Sequence, residues 1–239
     1  MAIQTRTIRY DGPGGPFEGV LAWDDATQGA RPGVMVLPNV LGPKAFDVEK
    51  AEALAALGYV GFVVDVYGAA HRPEKDVEQA RVRMNEAQAD RRVLQARLLA
   101  ALETIRAQPE VDAGRMAAIG FCFGGKCVLD LARMGADVAG VVSFHGSFDA
   151  PPFANADPIR ARILVLHGFD DPIAGPDDSV ALGREFTASG ADWQIHLYGH
   201  AAHGFTAPGT MRPGVAYEEK ADRRSWRAMR DFLDELWGA

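Results

Sequence analysis

Cysteine is scarce in this chain: only Cys122 and Cys127 occur among 239 residues. Five residues along a helix correspond to a rotation of roughly 500°, which puts the two side chains on different faces. A disulfide between them is therefore not expected. A protein without a disulfide framework is typical of a reducing compartment, so we expect a cytoplasmic location.

Long apolar runs and an excess of basic residues are also missing. No apolar stretch reaches the roughly 18 residues of a membrane span, and the N-terminal segment lacks the apolar core of a secretory signal. The formal net charge is −7, which leaves no basic face for nucleic acid or an anionic membrane. We therefore expect a small-molecule partner, and the oligomeric state stays open.

What the chain does contain is an alternation of apolar strands with amphipathic helices. An opening hairpin comes first, and the later strands are continuous apolar runs, as in strands buried on both faces of a sheet. This order predicts one α/β domain over residues 1–239, with a mostly parallel central sheet and helices on both faces. Among the predicted elements are strands at 33–38, 59–67, 115–121 and 162–168 and one long helix at about 76–107.

Unusual residues follow four of the predicted strands. In an open α/β sheet, ligands bind at the carboxyl ends of the strands. The four loops begin with the segments "PNVLG", "CFGG", "FDDPI" and "HAAHGF". We expect these loops to lie along one edge of the sheet, where Cys122, Asp171 and His203 follow one another in chain order.

The segment "GFCFG" at residues 120–124 fits the pattern G-x-S-x-G with cysteine in place of serine. In this pattern the nucleophile stands at the tip of a sharp strand-to-helix turn, and small residues are needed where the two backbones crowd. The N-terminus of the following helix lowers the pKa of a thiol and supplies amides for an oxyanion. The alternative is that Cys122 is only a small buried residue.

Three motifs in order, "GFCFGGK", "HGFDDPI" and "YGHAAHGF", resemble those of the dienelactone hydrolase family, a cysteine branch of the α/β-hydrolase fold. The likeness extends over essentially the whole chain. It implies hydrolysis of an ester or lactone by a Cys-His-Asp triad without a cofactor. Mapped onto this sequence, it implies Cys122 as nucleophile, His203 as base, Asp171 as orienting acid, and the amides of Val40 and Phe123 as the oxyanion hole.

Two neighbouring residues compete with the implied ones. The resemblance favours His203 over His200, because His203 precedes a Gly-Phe pair as the family's base does. It favours Asp171 over Asp170, because the family's acid is the fourth residue of G-x-x-D and often precedes proline. A histidine pair with a carboxylate is also compatible with zinc, but no third ligand stands at a usual spacing, so no metal is expected.

Four further residues near strand ends are candidates for the substrate pocket. For His145 the alternative is a histidine that only bonds backbone, and for His71 and Arg72 it is an ordinary exposed loop. Asn39 precedes the implied oxyanion residue, where dienelactone hydrolases carry a glutamate. An amide cannot act as a base, so we expect a thiolate–imidazolium pair that is readily alkylated near neutral pH.

The sequence departs from the family in a second way. Dienelactone hydrolases hold the substrate carboxylate with two arginines, and the matching positions here are Ala69 and Ala207. A carboxylate without a bidentate partner in a desolvated pocket is strongly disfavoured. We therefore expect a neutral or differently charged ester or lactone rather than dienelactone.

Two other classes of protein are compatible with the same fold. A redox-thiol protein needs a resolving cysteine, and Cys127 faces away from Cys122 on the predicted helix. A non-catalytic binding protein would not need the three motifs together. Loss of ester hydrolysis on replacing Cys122 or His203 would separate a hydrolase from both.

Overall fold

A computed structural model describes residues 2–73, 76–153 and 158–238. The chain divides into two compact units, residues 1–118 and 119–239. The prediction of a single domain over residues 1–239 stays a prediction. No helix within the described ranges combines the length and apolar character that crossing a membrane requires.

The first unit begins with the predicted hairpin, in which β1 (Ile3–Tyr10) pairs antiparallel with β2 (Phe17–Asp24). β2 is antiparallel to β4 (Val60–Val63), and β4 is parallel to β3 (Arg31–Leu37). Every residue of β3 and β4 is buried, as their continuous apolar runs predict. Helix α1 (Ala45–Ala56) packs against β4 and β2.

The predicted long helix at 76–107 is wrong: two helices are present. They are α2 (Val77–Ala89) and α3 (Arg91–Arg106), and Asp90 between them has extended backbone angles. Its carboxylate accepts hydrogen bonds from the amides of Arg92 and Val93. An aspartate that caps amides in this way starts a new helix.

The strand predicted at 59–67 is also too long, because β4 ends at Val63. The reason is Asp65, whose Oδ1 accepts hydrogen bonds from the amides of Tyr67 and Gly68. These bonds turn the chain away from the sheet and into a single 3₁₀ turn at Ala69–His71.

Strand β5 (Val111–Phe121) runs from the first unit into the second. In the second unit, β6 (Gly140–Phe144), β7 (Arg162–Gly168) and β8 (Trp193–Tyr198) are parallel neighbours. A short hairpin of β9 (Met211–Arg212) and β10 (Val215–Ala216), too short to show a periodicity, was not predicted. This unit also contains the helices α4 (Phe123–Arg133), α5 (Pro176–Ala188) and α6 (Glu219–Trp237).

The eight long strands are hydrogen-bonded in the order β1-β2-β4-β3-β5-β6-β7-β8. The antiparallel pairs that join β1, β2 and β4 are at one end of this order. The pairs β3–β4, β6–β7 and β7–β8 are parallel. The predicted class, an α/β fold with a mostly parallel central sheet and helices on both faces, is confirmed. Cys122, Asp171 and His203 follow β5, β7 and β8, respectively.

Candidate active site

Cys122 lies at the sharp turn between β5 and α4. Its φ is 54°, in the left-handed region that non-glycine residues rarely adopt, and its amide donates to the carbonyl of Phe144 at 3.0 Å. A Cβ at Gly120 would lie 2.1 Å from the carbonyl oxygen of Gly124. The close approach of strand and helix therefore requires glycine at position 120, and it holds the cysteine in a strained conformation.

The N-terminus of α4 begins directly after this cysteine. Phe123 is the first residue of the helix and is buried. The amide end of a helix carries a partial positive charge, which stabilises a neighbouring anion such as a thiolate. Phe123, predicted to supply an oxyanion amide, thus stands at the electropositive end of α4.

A histidine and an aspartate continue from the thiol in one line of contacts. His203 Nε2 is 3.1 Å from Cys122 Sγ, and His203 Nδ1 is 2.8 Å from Asp171 Oδ2. The other carboxylate oxygen of Asp171 accepts the amide of Ile173 at 2.8 Å. The structure therefore brings together the three residues that the sequence singled out in three separate loops.

The backbone of His203 is fixed on both sides by the β9–β10 hairpin. Its amide donates to the carbonyl of Gly214 at 3.1 Å, and its carbonyl accepts the amide of Ala216 at 3.1 Å. Ala201 and Phe205 on either side are fully buried. The hairpin thus fixes the position of the His203 backbone and, through it, of the imidazole.

The competing residues are in a different environment. The His200 side chain is fully exposed, and its Nδ1 is 4.0 Å from Asp170 Oδ2, which is beyond hydrogen-bond distance. Asp171 and His203, in contrast, are 3% and 5% exposed. Burial therefore distinguishes His203 from His200 and Asp171 from Asp170 more clearly than the sequence does.

The pKa of His203 results from opposing effects. Burial lowers it, but the hydrogen bonds to Asp171 and Cys122 and the charges of these two groups outweigh burial and raise the pKa from 6.5 to about 10. An acidic group on each side of the ring favours its protonated form. The site therefore favours an imidazolium at neutral pH.

His145 is buried beside His203, with φ of 39°. The two imidazole rings meet edge to face with centroids 5.2 Å apart, and His145 Nε2 is 2.8 Å from Thr206 Oγ1. Burial holds the pKa of His145 well below its usual value, so the ring is neutral. His145 forms a wall against the side of the His203 ring, and contact with substrate stays a prediction.

The predicted oxyanion loop belongs to the first unit. Asn39 Oδ1 accepts the amide of Leu41 at 2.9 Å, which closes a local turn. Tyr67 donates its hydroxyl hydrogen to the carbonyl of Val40 at 3.0 Å. These bonds give the loop a defined shape, and the roles of Val40 and Asn39 stay predictions.

The other two pocket candidates lie in the loop after β4. Arg72 donates through Nε and Nη2 to Asp65 Oδ2 at 3.1 and 2.9 Å and through Nη2 to the carbonyl of Glu18. His71 lines a cavity of about 240 Å³ together with Tyr67, Arg83 and Arg97 among others. Arg72 is thus held by protein groups, and a role for either residue in substrate binding stays a prediction.

Two polar residues of the site were not predicted from the sequence. His167 is the penultimate residue of β7, and its Nε2 is 3.5 Å from Asp171 Oδ2. Thr206, described above, holds His145 from the loop after β8. A signal for His167 was available, since it is the one polar residue in the apolar run "ILVLHG".

The site combines a strained turn, a thiol, an imidazole and a carboxylate at the ends of strands in a mostly parallel sheet. This combination defines the class of protein as an α/β-hydrolase. The model of the dienelactone hydrolase family matches residues 17–237. The chain belongs to this family, and it is a hydrolase of the carboxylic ester and lactone class, as the motifs predict.

Two solved structures cover nearly the whole chain, and a curated relative covers most of it. A solved structure named m3DLH is 42% identical and covers 99% of both chains with a TM-score of 0.91. A dienelactone hydrolase-like promiscuous phosphotriesterase, P91, from metagenomic libraries is 37% identical and covers 99% of both chains with a TM-score of 0.93. Carboxymethylenebutenolidase 2 of Cupriavidus pinatubonensis is 29% identical over 212 residues, which are 82% of this chain and 83% of that protein.

Proposed function

We propose that this protein hydrolyses a carboxylic ester or lactone through a covalent thioester on Cys122. The observation that carries the proposal is the continuous line of contacts from Sγ through the His203 ring to Asp171, with distances of 3.1 and 2.8 Å. These are the spacings of a nucleophile, its base and the group that orients the base.

In the first half of the reaction, the Cys122 thiolate attacks the substrate carbonyl carbon. A carbon–sulfur bond forms, and the carbonyl π electrons move to the oxygen. The amides of Phe123 and Val40 are proposed to hold this oxyanion, and each such donor typically contributes about 3–4 kcal/mol to the transition state. When the carbonyl reforms, the carbon–oxygen bond breaks and the leaving alkoxide takes the proton from His203 Nε2.

In the second half, His203 is neutral and accepts a proton from water as that water attacks the thioester. Collapse of the second oxyanion expels the Cys122 thiolate and releases the carboxylic acid. The proton stays on His203, which restores the thiolate–imidazolium pair. Asp171 accepts the Nδ1 hydrogen throughout and keeps Nε2 directed at the reacting atoms.

The proposed substrate is neutral, or charged differently from dienelactone. Support comes from Ala69 and Ala207 at the positions where the resemblance implies arginines. Strong, saturable turnover of dienelactone by the purified protein would contradict this part. A reducing, cytoplasmic compartment is proposed with it, because the nucleophile must remain a thiol.

A phosphotriester is a second candidate substrate, favoured by the 37% identity to P91 over 99% of both chains. The same thiolate would attack phosphorus, and His203 would protonate the leaving group. The redox-thiol and non-catalytic alternatives are disfavoured by the hydrogen-bonded His203 and Asp171, which neither function requires.

The test is hydrolysis of p-nitrophenyl acetate by wild type, Cys122→Ala and His203→Ala, with His200→Ala as a matched control and circular dichroism for folding. We expect both site variants to lose at least about 10³-fold in kcat/KM, as nucleophile and base removals do. His200→Ala should keep wild-type activity. A folded Cys122→Ala variant that is as active as wild type would refute the proposal.

A further inference from the structure

A second histidine lies behind the carboxylate that orients His203. His167 is fully buried at the end of β7, and its Nε2 is 2.7 Å from the carbonyl oxygen of Ala174. A carbonyl only accepts hydrogen bonds. The hydrogen of His167 is therefore on Nε2, and the tautomer is fixed by the structure.

The same nitrogen faces Asp171. Nε2 of His167 is 3.5 Å from Asp171 Oδ2, the oxygen that also accepts the Nδ1 hydrogen of His203. This distance is too long for a hydrogen bond but puts the positive end of an N–H dipole next to the carboxylate. The Phe148 ring packs against the imidazole, with its centroid 4.6 Å from that of His167.

The carbonyl that His167 holds belongs to the turn that carries Asp171. The Asp171 amide donates to the carbonyl of Gly168 at 3.3 Å, and Asp171 Oδ1 accepts the amide of Ile173 at 2.8 Å. His167 closes the far end of this turn at Ala174. Removal of the Nε2 hydrogen would remove the side-chain bond by which β7 holds the Ala174 end of this turn.

The charge state of His167 suits this arrangement. The pKa of His167 is lowered, and burial is the largest cause. The charge of His203 lowers this pKa further, whereas the charges of Asp171 and Asp178 raise it. A neutral ring supplies a dipole without a second cation beside Asp171. The full negative charge of Asp171 thus remains available to the His203 imidazolium.

We propose that His167 is a positioning residue, which holds the Asp171 turn by donating its Nε2 hydrogen to Ala174 and keeps the positive end of that N–H group beside Asp171, so that the carboxylate stays aimed at His203. The inference rests on the proposed function and adds a residue to it. His167 acts through the Ala174 carbonyl and Asp171, not on the reacting atoms themselves.

The test compares two amides at position 167. A glutamine side chain places its NH₂ where Nε2 of histidine lies, whereas an asparagine side chain is one methylene shorter and does not reach Ala174 or Asp171. His196→Asn is the matched control, because His196 is exposed on the neighbouring strand β8. Wild type and the three variants are measured for kcat and KM with p-nitrophenyl acetate and for the pH dependence of the acylation rate with an alkyl ester.

We expect His167→Asn to lower kcat by about 10- to 100-fold with little change in KM, as for a misaligned reacting group. Its acylation rate should also begin to fall at lower pH than in wild type, because the pKa of His203 loses support from Asp171. His167→Gln should recover most of both properties, and His196→Asn should match wild type.

Equal losses in folded His167→Asn and His167→Gln, with an unchanged pH profile, would overturn the proposal and leave a packing role. If His167→Asn does not fold, a folded His167→Gln with tenfold lower kcat would overturn it as well. Failure of the proposed function would be visible separately, as an active Cys122→Ala variant.

Discussion

The turn at Cys122 and the loop after β4 both follow a strand of the sheet, but their polar side chains are held in different ways. At Cys122 the backbone itself fixes the residue, since φ is 54° and Gly120 admits no side chain. In the loop after β4, an ion pair of Arg72 with the fully buried Asp65 fixes the chain. Backbone crowding requires glycines, which can be recognised in the sequence. The partner that an arginine chooses for an ion pair cannot be recognised there.

This difference bears on which features of the structure the sequence indicates. The fold class followed from the alternation of apolar strands and amphipathic helices, and the close contacts of Cys122, Asp171 and His203 followed from three loop motifs. The break at Asp90 was missed, because an aspartate within an amphipathic pattern does not show whether it caps or is merely solvated. His167 was missed because its partner, the Ala174 carbonyl, is a backbone group of a turn that the sequence does not specify.

The largest expected effect separates two adjacent carboxylates. Asp171→Asn should lower kcat/KM for p-nitrophenyl acetate by about 10³- to 10⁴-fold, because the amide stabilises the wrong tautomer of the His203 base. Asp170→Asn should stay near wild type, since Asp170 is exposed. Steady-state kinetics of both folded variants decide the matter, and a comparable loss in Asp170→Asn would contradict the assignment.

The next effect concerns the crowded backbone. Gly120→Ala puts a Cβ 2.1 Å from the carbonyl oxygen of Gly124, so the free energy of unfolding should fall by about 4 kcal/mol or more. Gly199→Ala is the control, because a Cβ there meets nothing within 4 Å. Urea denaturation of the two variants measures the difference, and similar midpoints would show that the turn adapts.

The pH dependence of acylation tests the charge state of the pair. The pKa of His203 is raised to about 10, so the imidazolium that protonates the leaving alkoxide persists through neutral pH and is lost as the pH rises through about 10. The single-turnover acylation rate with an alkyl ester, whose alkoxide leaving group needs that proton, should therefore be flat near neutrality and fall at high pH. A rate that instead rises through an ordinary histidine pKa would indicate a neutral imidazole acting on a thiol.

The smallest expected effect is in the loop after β4. Arg72→Gln removes the charged partner of the buried Asp65, which should lower the free energy of unfolding by about 1–3 kcal/mol. Arg81→Gln, which breaks an exposed pair with Glu78, should cost at most about 0.5 kcal/mol. Thermal denaturation with KM measured in parallel distinguishes the two roles of Arg72: a raised KM with unchanged stability would favour substrate contact.

The central claim is the thioester on Cys122, and trapping it is the most direct test. The protein is mixed with an ester that deacylates slowly, quenched in acid and digested with trypsin, which cleaves after Arg115 and Lys126 and so separates Cys122 from Cys127. We predict that the acyl mass is found on the peptide of residues 116–126 and disappears on chase with hydroxylamine. An active protein with an unmodified 116–126 peptide, or with the acyl group on Cys127, would contradict the account.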